Sequence, residues 1–332
     1  MSVKGKRIIF VVLFCSLILC LAGCSLHHKK EPPVPVKKVN SIGLKDASGR
    51  SFRLKSPPQR IVSLSLRSDE ILLGMVEPSR ICALSKWADD PLISNVVKEA
   101  GQVPVRSQIT EEFILSMHPD FVITTQSQPY DLIFHLRSLN IPVYVCPLAR
   151  TVKDTQKMIL DLGQVLMAEQ KATQMVQDME DVVRDIQKKV ASIPENERLT
   201  VYRFSVSGGN GGKNTYYNDV CRLAGVKNAA AKMKFWGTQL MPLEQIVHTN
   251  PDVFLLPTWD YTGKIDLEAY KKEIRQDPVL QNVKAVKNNR LYVIPDKHML
   301  SSSQFMVECI RDIYEACYGA QKGKLDGGAF LR

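Results

Sequence analysis

The sequence predicts an α/β protein of two similar lobes joined by long helix, and three observations carry that expectation. Apolar runs of strand length alternate with helical patterns in both halves of the chain, which indicates parallel βαβ units. Between the halves, residues 151–191 contain no proline, and only Gly163 interrupts an apolar pattern at helical spacing. One segment also occurs twice. Glu112 stands seven residues before Pro119-Asp120 and the apolar run Phe121-Val122-Ile123. Glu244 stands seven residues before Pro251-Asp252 and Val253-Phe254-Leu255. Two copies at equal spacing argue for two lobes built on one plan.

The elements follow in order. Lys4, Lys6 and Arg7 open the chain, and residues 8–22 form an apolar core of about 15 residues, short of the ~20 that span a bilayer. The core ends at Leu21-Ala22-Gly23-Cys24, the pattern of an export leader of residues 1–23. Residues 24–38 hold His27, His28, four lysines and three prolines with hardly an apolar side chain. They cannot offset their ordering entropy and read as a flexible tether. Residues 39–54 read as a hairpin around Ala47-Ser48-Gly49-Arg50. Then come strand 60–65, helix 69–75, strand 81–84, helix 111–117, strand 121–124, helix 133–139 and strand 142–146. Ile193-Pro194 ends the long helical stretch. The second series is strand 199–206, helices 218–223 and 243–247, strand 253–256, helix 267–274, strand 291–294 and helix 305–318.

Composition narrows the function. The net charge of +10 falls to +7 without the leader, and the charges are dispersed, with no basic block interleaved with aromatics. Nucleic-acid binding is not expected. Cys15 and Cys20 leave with the leader, and five cysteines remain beyond Cys24: Cys82, Cys146, Cys221, Cys309 and Cys317. At most two disulfides are possible among them. His118, His135, His248 and His298 do not pair at ligand spacing, so no metal site is expected. The Gly-rich stretch 208–213 imitates a phosphate loop but has Ser207 at the first glycine position and Asn214 after Lys213. No G-x-S-x-G, H-E-x-x-H or framed carboxylate pair occurs, so the chain is not read as an enzyme. A surface-anchored hydrolase or a sensor on the same scaffold is the alternative of another class.

Ligands of open α/β sheets bind beyond the carboxyl ends of the strands. That rule selects loops carrying Arg67, Lys86, Trp87 and Arg106 in the first lobe, and Tyr216, Trp236, Trp259 and His298 in the second. All three tryptophans of the chain fall on these loops, which suits a flat, apolar ligand. Arg67, Lys86, Arg106 and Lys297 add cations for an anionic complex. A heme would need an axial ligand, for which Tyr216, Tyr217, Tyr261 and His298 are candidates.

Leu21-Ala22-Gly23-Cys24 resembles a bacterial lipobox, which implies that Cys24 carries diacylglycerol and anchors the exported body to a membrane. The body resembles the periplasmic binding proteins that serve ABC importers of iron-siderophores, heme and cobalamin. The resemblance rests on D-x-x-G-R at Asp46 to Arg50, P-x-R-I-V-S-L at Pro58 to Leu64, the helix opening Asp69-Glu70-Ile71-Leu72, both E-x6-P-D segments, and Cys221-Arg-Leu-Ala-Gly-Val-Lys-Asn228. It implies two Rossmann-like lobes, 39–167 and 195–332, bridged by a single long helix over 168–194, with the ligand in the cleft between them. It also implies a monomer that delivers its cargo to a permease dimer with its ATPase. Glu112 and Glu244 would then dock into basic pockets on the two permease subunits. Trp87 and Trp236 are similar in position to aromatic cleft residues of cobalamin-binding relatives, and Arg106 lies in a loop resembling one where the family meets its ligand. A disulfide Cys221–Cys317 is implied by a similar member, with Cys309 as a competitor. The expected cargo is a ferric siderophore or similar iron complex, with heme or cobalamin as alternatives. No cofactor is implied beyond the iron or cobalt of the cargo.

Overall fold

Runs rich in valine and isoleucine pair as parallel strands where helices cover both faces, and both halves of this chain do so. The computed structural model describes residues 44–52, 54–206, 210–233 and 238–322. The leader, Cys24, the tether, Trp236 and the tail 323–332 lie outside the described residues.

The body opens with an antiparallel hairpin, β1 (Leu44–Lys45) and β2 (Ser51–Phe52). Its D-x-x-G-R turn has a physical basis. The Asp46 carboxylate accepts hydrogen bonds from the backbone N–H groups of Ser48, Arg50 and Val145 and from the Arg137 guanidinium at 2.6 Å. Gly49 takes the φ of +78° that closes the turn.

The first sheet follows from β3 (Ile61–Ser63), α1 (Leu66–Met75), β4 (Ile81–Ser85), α2 (Val97–Ala100), β5 (Arg106–Ser107), α3 (Glu111–Ser116), β6 (Phe121–Thr125), α4 (Tyr130–Ser138) and β7 (Val143–Cys146). Its strands are parallel in the order β5-β4-β3-β6-β7, so the chain reverses direction across the sheet beside β3. Helices α5 (Val152–Leu166) and α6 (Glu169–Val190) come next, separated by Met167 at φ +54°.

The second lobe contains β8 (Thr200–Arg203), β9 (Asn210–Gly211), α7 (Tyr216–Leu223), β10 (Lys227–Asn228), β11 (Thr238–Gln239), α8 (Leu243–Thr249), β12 (Val253–Leu256), α9 (Leu267–Gln276), α10 (Lys284–Lys287), β13 (Leu291–Val293), α11 (Asp296–Met299) and α12 (Met306–Lys322). Its main sheet is parallel in the order β10-β8-β12-β13, while β9 and β11 form a small antiparallel pair. The sequence expectation ran the first strand of this lobe to 206, whereas β8 stops at Arg203. The two-residue strands β5, β9, β10 and β11 and the four-residue helices α2, α10 and α11 were not expected, because such short elements depend on their neighbours rather than on periodicity.

The repeated Pro-Asp turn does the same work twice. Asp120 donates its N–H to Arg60 O and accepts from the N–H of Gln59 (2.7 Å) and Arg60 (2.8 Å), which pins the start of β3. Asp252 donates to Thr200 O and accepts from Thr200 N–H (2.9 Å), which pins the start of β8. Each proline follows a residue in left-handed conformation, His118 in one lobe and Asn250 in the other.

One apolar core runs through both lobes. It joins Phe121 and Tyr144 of the first sheet to Val201 and Val253 of the second through Met175, Met179, Ile186 and Val190 of α6 and Ile310 and Tyr314 of α12. Two smaller clusters cover the far faces of the sheets. The bridging helix is therefore packed along its length. No bond joins Cys221 to Cys317: Cys82, Cys146, Cys221, Cys309 and Cys317 are all free thiols. Burial pushes both the Cys221 and the Cys317 thiol up.

Candidate functional site

The carboxyl ends of the two parallel sheets face one another across a seam, and the tryptophan loops meet there. Trp87 lies on the short turn Lys86–Asp89 after β4, and Trp259 and Tyr261 lie on the loop after β12. Trp87 packs edge-on against Trp259, with ring centroids 5.9 Å apart, and against Tyr261 at 5.8 Å. Trp259 and Tyr261 are 6.1 Å apart, so the three rings form one cluster drawn from both lobes. Trp259 also donates its indole N–H to Asp90 at 3.0 Å, a hydrogen bond from one lobe to the other.

A buried aspartate holds each loop. Asp69 of α1 accepts from Ser85 N–H and from Ser85 Oγ at 2.5 Å, which fixes the end of β4 just before Lys86 and Trp87. Burial pushes its carboxyl up to about 6 against the opposing pull of those hydrogen bonds. Asp296 at the start of α11 accepts from the N–H groups of Thr258 (2.6 Å) and Trp259 (2.9 Å). Burial raises it too.

The expected cations are largely engaged by the protein itself. Arg106 forms a fork-to-fork pair with Asp89 at 2.5–2.6 Å and donates further to the carbonyls of Ala100, Val103 and Val105. The pair holds Asp89 below the usual carboxylate range and raises Arg106. Arg67 reaches Ser302 Oγ and Pro147 O, each at 2.8 Å, and so ties α1 to the second lobe. Burial lowers its pKa. Lys86 is exposed, its ammonium 4.5 Å from the Trp87 ring centroid.

Of the candidates for axial ligation, Tyr216 and Tyr217 are committed within the protein, whereas His298 keeps Nε2 for a metal. Tyr216 donates to Met299 O at 2.7 Å, Tyr217 is fully buried, and His298 Nδ1 is 2.6 Å from Asp312. Tyr261 alone is exposed. Of the expected site residues, the structure gathers Lys86, Trp87 and Trp259 at one place. It puts Arg106 beside Asp89 at the rim, uses Arg67, Tyr216 and His298 for internal contacts, and leaves Glu112 and Glu244 exposed on α3 and α8.

The sequence reading missed the seam below the aromatic cluster. Glu70 is fully buried and accepts from Asn95 N–H (3.1 Å) and Nδ2 (2.8 Å) in its own lobe, and from Ser303 Oγ (2.5 Å) and Ser301 Oγ (3.1 Å) in the other. Asn95 donates in addition to Lys297 O, and Gln304 donates to Glu70 O. The run Ser301-Ser302-Ser303 was the available signal, because adjacent hydroxyls before a helix supply donors. Glu70 itself stands in the helix opening Asp69-Glu70-Ile71-Leu72, where nothing local marks its burial.

A sequence profile described as "Periplasmic binding protein" matches residues 61–298. The chain belongs to that family. It is 26% identical over 324 residues to the uncharacterized ABC transporter substrate-binding lipoprotein YvrC of Bacillus subtilis, covering 95% of this chain and 98% of that one. It is 22% identical over 308 residues to the probable siderophore-binding lipoprotein YfiY of the same organism, covering 88% and 91%. Among solved structures, a periplasmic heme binding protein from Pseudomonas aeruginosa superposes with a TM-score of 0.66 at 20% identity, over 81% of this chain and 95% of that one. The two-lobed fold is that of the family, whose members are substrate-binding proteins of ABC importers for iron-siderophore, heme and cobalamin compounds.

Proposed function

We propose that this periplasmic binding protein captures a metal chelate with a broad apolar face and few negative charges, a corrinoid of the cobalamin class, and hands it to an ABC permease. The cluster of Trp87, Trp259 and Tyr261, contributed by strand-end loops of both lobes, carries this reading. Rings of this kind offer flat contact area to a macrocycle. Two features weigh the ligand classes. The forks of Arg67 and Arg106 are occupied by protein acceptors, which leaves Lys86 and Lys297 of the expected cations to meet a strongly anionic ferric siderophore. Tyr216 is engaged and Tyr217 buried, which leaves exposed Tyr261, and His298 through its Nε2, to meet a heme iron. A corrinoid carries its own ring nitrogens and lower axial base and asks neither of the protein.

A ferric siderophore is the second reading, supported by Lys86 and by the rim position of Arg106, whose partner Asp89 is exposed and exchangeable. On either reading the protein binds and releases without chemistry. Cys24 tethers it to the membrane, and Glu112 and Glu244 present one anion per lobe to the two permease subunits. The body from residue 25 onward, titrated with cyanocobalamin, hemin and ferric siderophores, tests the choice through tryptophan fluorescence and visible spectra. Saturable quenching by cyanocobalamin, weakened at least 10-fold by Trp87→Ala, is expected. Quenching by a ferric siderophore alone would transfer the assignment to the second reading, and no quenching by any of the three would end both.

A further inference from the structure

The first lobe carries an exposed aromatic stack that neither the core nor the cleft uses. Tyr130 is 76% exposed and Phe134, one helical turn on, is 49% exposed. Their rings lie 6.4 Å apart and 22° from parallel. Single exposed apolar residues are normal on any surface. This pair is distinguished by its place. The neighbouring His135 stands 3.4 Å from Glu111, which fastens this face of α4 to the first turn of α3, where exposed Glu112 follows. Ile109, 48% exposed, precedes Glu112 by three residues. The second lobe repeats the association: Leu240, 71% exposed, precedes Glu244 by four.

We infer that Tyr130, Phe134 and Ile109 on one lobe, and Leu240 on the other, are the apolar part of the surface that seats on the two permease subunits. The inference rests on the proposed docking role of Glu112 and Glu244. A glutamate alone steers and orients, while affinity comes from apolar anchors that exclude water around it. A stacked pair on a helix presents such area at little cost in rotamer entropy. Charge selects the occupant. A second copy would bring the same acidic helix starts face to face, and anionic headgroups would be repelled by Glu111 and Glu112. A permease subunit with a cation in an apolar-rimmed pocket fits both the charge and the greasy border.

The test uses the full lipidated chain in intact cells, with a photo-cross-linking amino acid at position 130 or, as reference, at exposed Gln108. Position 130 is expected to capture a polytopic permease subunit, identified by mass spectrometry, and to lose it when Glu112→Arg is added. Tyr130→Ala with Phe134→Ala is expected to cut uptake at least 10-fold while ligand quenching of the purified body stays unchanged. Capture of the permease from position 108 but not from 130 overturns this inference and leaves the docking reading intact. Capture from neither position overturns the docking reading, and the inference with it. Products at 130 formed only with a second copy or with lipid overturn the apolar contact as drawn.

Discussion

Gly163 sits on α5 where the chain prepares to turn into α6, and a Cβ placed there would lie 2.4 Å from the Cβ of Ala172. Two effects oppose in Gly163→Ala. Alanine favours the helix by about 1 kcal/mol, whereas overpacking costs typically about 1–3 kcal/mol. Both colliding atoms are fixed to backbone and cannot swing aside, so the clash wins. A net loss of up to about 2 kcal/mol is expected in urea unfolding. The paired turn aspartates are the other residue-scale device. Asp120→Ala removes the acceptor of Gln59 and Arg60 just before β3, and Asp252→Ala that of Thr200 at the start of β8, each at about 0.5–1.5 kcal/mol. Equal losses from the two substitutions, read in the same urea series, would show that the echo in sequence is an echo in energetics. An effect below 0.5 kcal/mol at either site would count against it.

Among the elements, α6 is the informative one. Its buried face is Ala172, Met175, Val176, Met179, Ile186 and Val190, at spacings of three, four and seven or fewer residues that keep one stripe inward. Its outer face carries ion pairs such as Arg184–Asp181 at 2.6 Å, both partners about half exposed. Met179→Ala, at a site with no solvent exposure, is expected to cost about 2–5 kcal/mol. Arg184→Ala is expected to cost under about 0.5 kcal/mol. Thermal unfolding of the two variants distinguishes a helix held by its packing from one held by its surface charges. Because that stripe contributes to a core continuous with both sheets, large hinge bending at α6 would expose apolar surface, and closure on ligand is expected to be small.

At the scale of the whole molecule, the two lobes are joined at Glu70 as well as at α6. Burial pushes the Glu70 carboxyl up to about 7, although four donors from both lobes pull the other way. The sign follows from the folded value exceeding the unfolded one. The folded protein holds a proton that the unfolded chain releases near 4.5, so this contribution is complete below about 4.5 and is lost as pH rises through about 7. It amounts to about 3 kcal/mol at most. Urea midpoints between pH 5 and 7.5 should fall with pH in the wild-type chain, and Glu70→Gln should flatten that fall. An unchanged slope in Glu70→Gln would assign the dependence elsewhere, Asp69 being next with a carboxyl at about 6. On the outside of the same molecule, Glu112→Arg with Glu244→Arg is expected to leave ligand binding intact and to abolish uptake in cells. The remaining transport of single variants should decline further with salt, as exposed charges are screened.

The sequence by itself determined the α/β class, the order of the main strands and helices and the twofold plan, because period, proline and turn chemistry are local properties that each segment carries alone. It also placed Trp87, Trp259 and Lys86 at strand ends, since side-chain type and loop position are read without contacts. Only the tertiary structure decided what those side chains meet. Arg106 and Asp89 lie 17 residues apart, Arg67 and Ser302 lie 235 apart, and Glu70 and Ser303 lie 233 apart. No pattern along the chain announces such partners, so the sequence does not show that Arg67 and Arg106 also donate to carbonyls, a hydroxyl and a carboxylate of the protein. The same holds for the shared core, in which a helix recognised by its period proves to be the wall common to both lobes. Local physics names the pieces, and burial against distant segments assigns their roles.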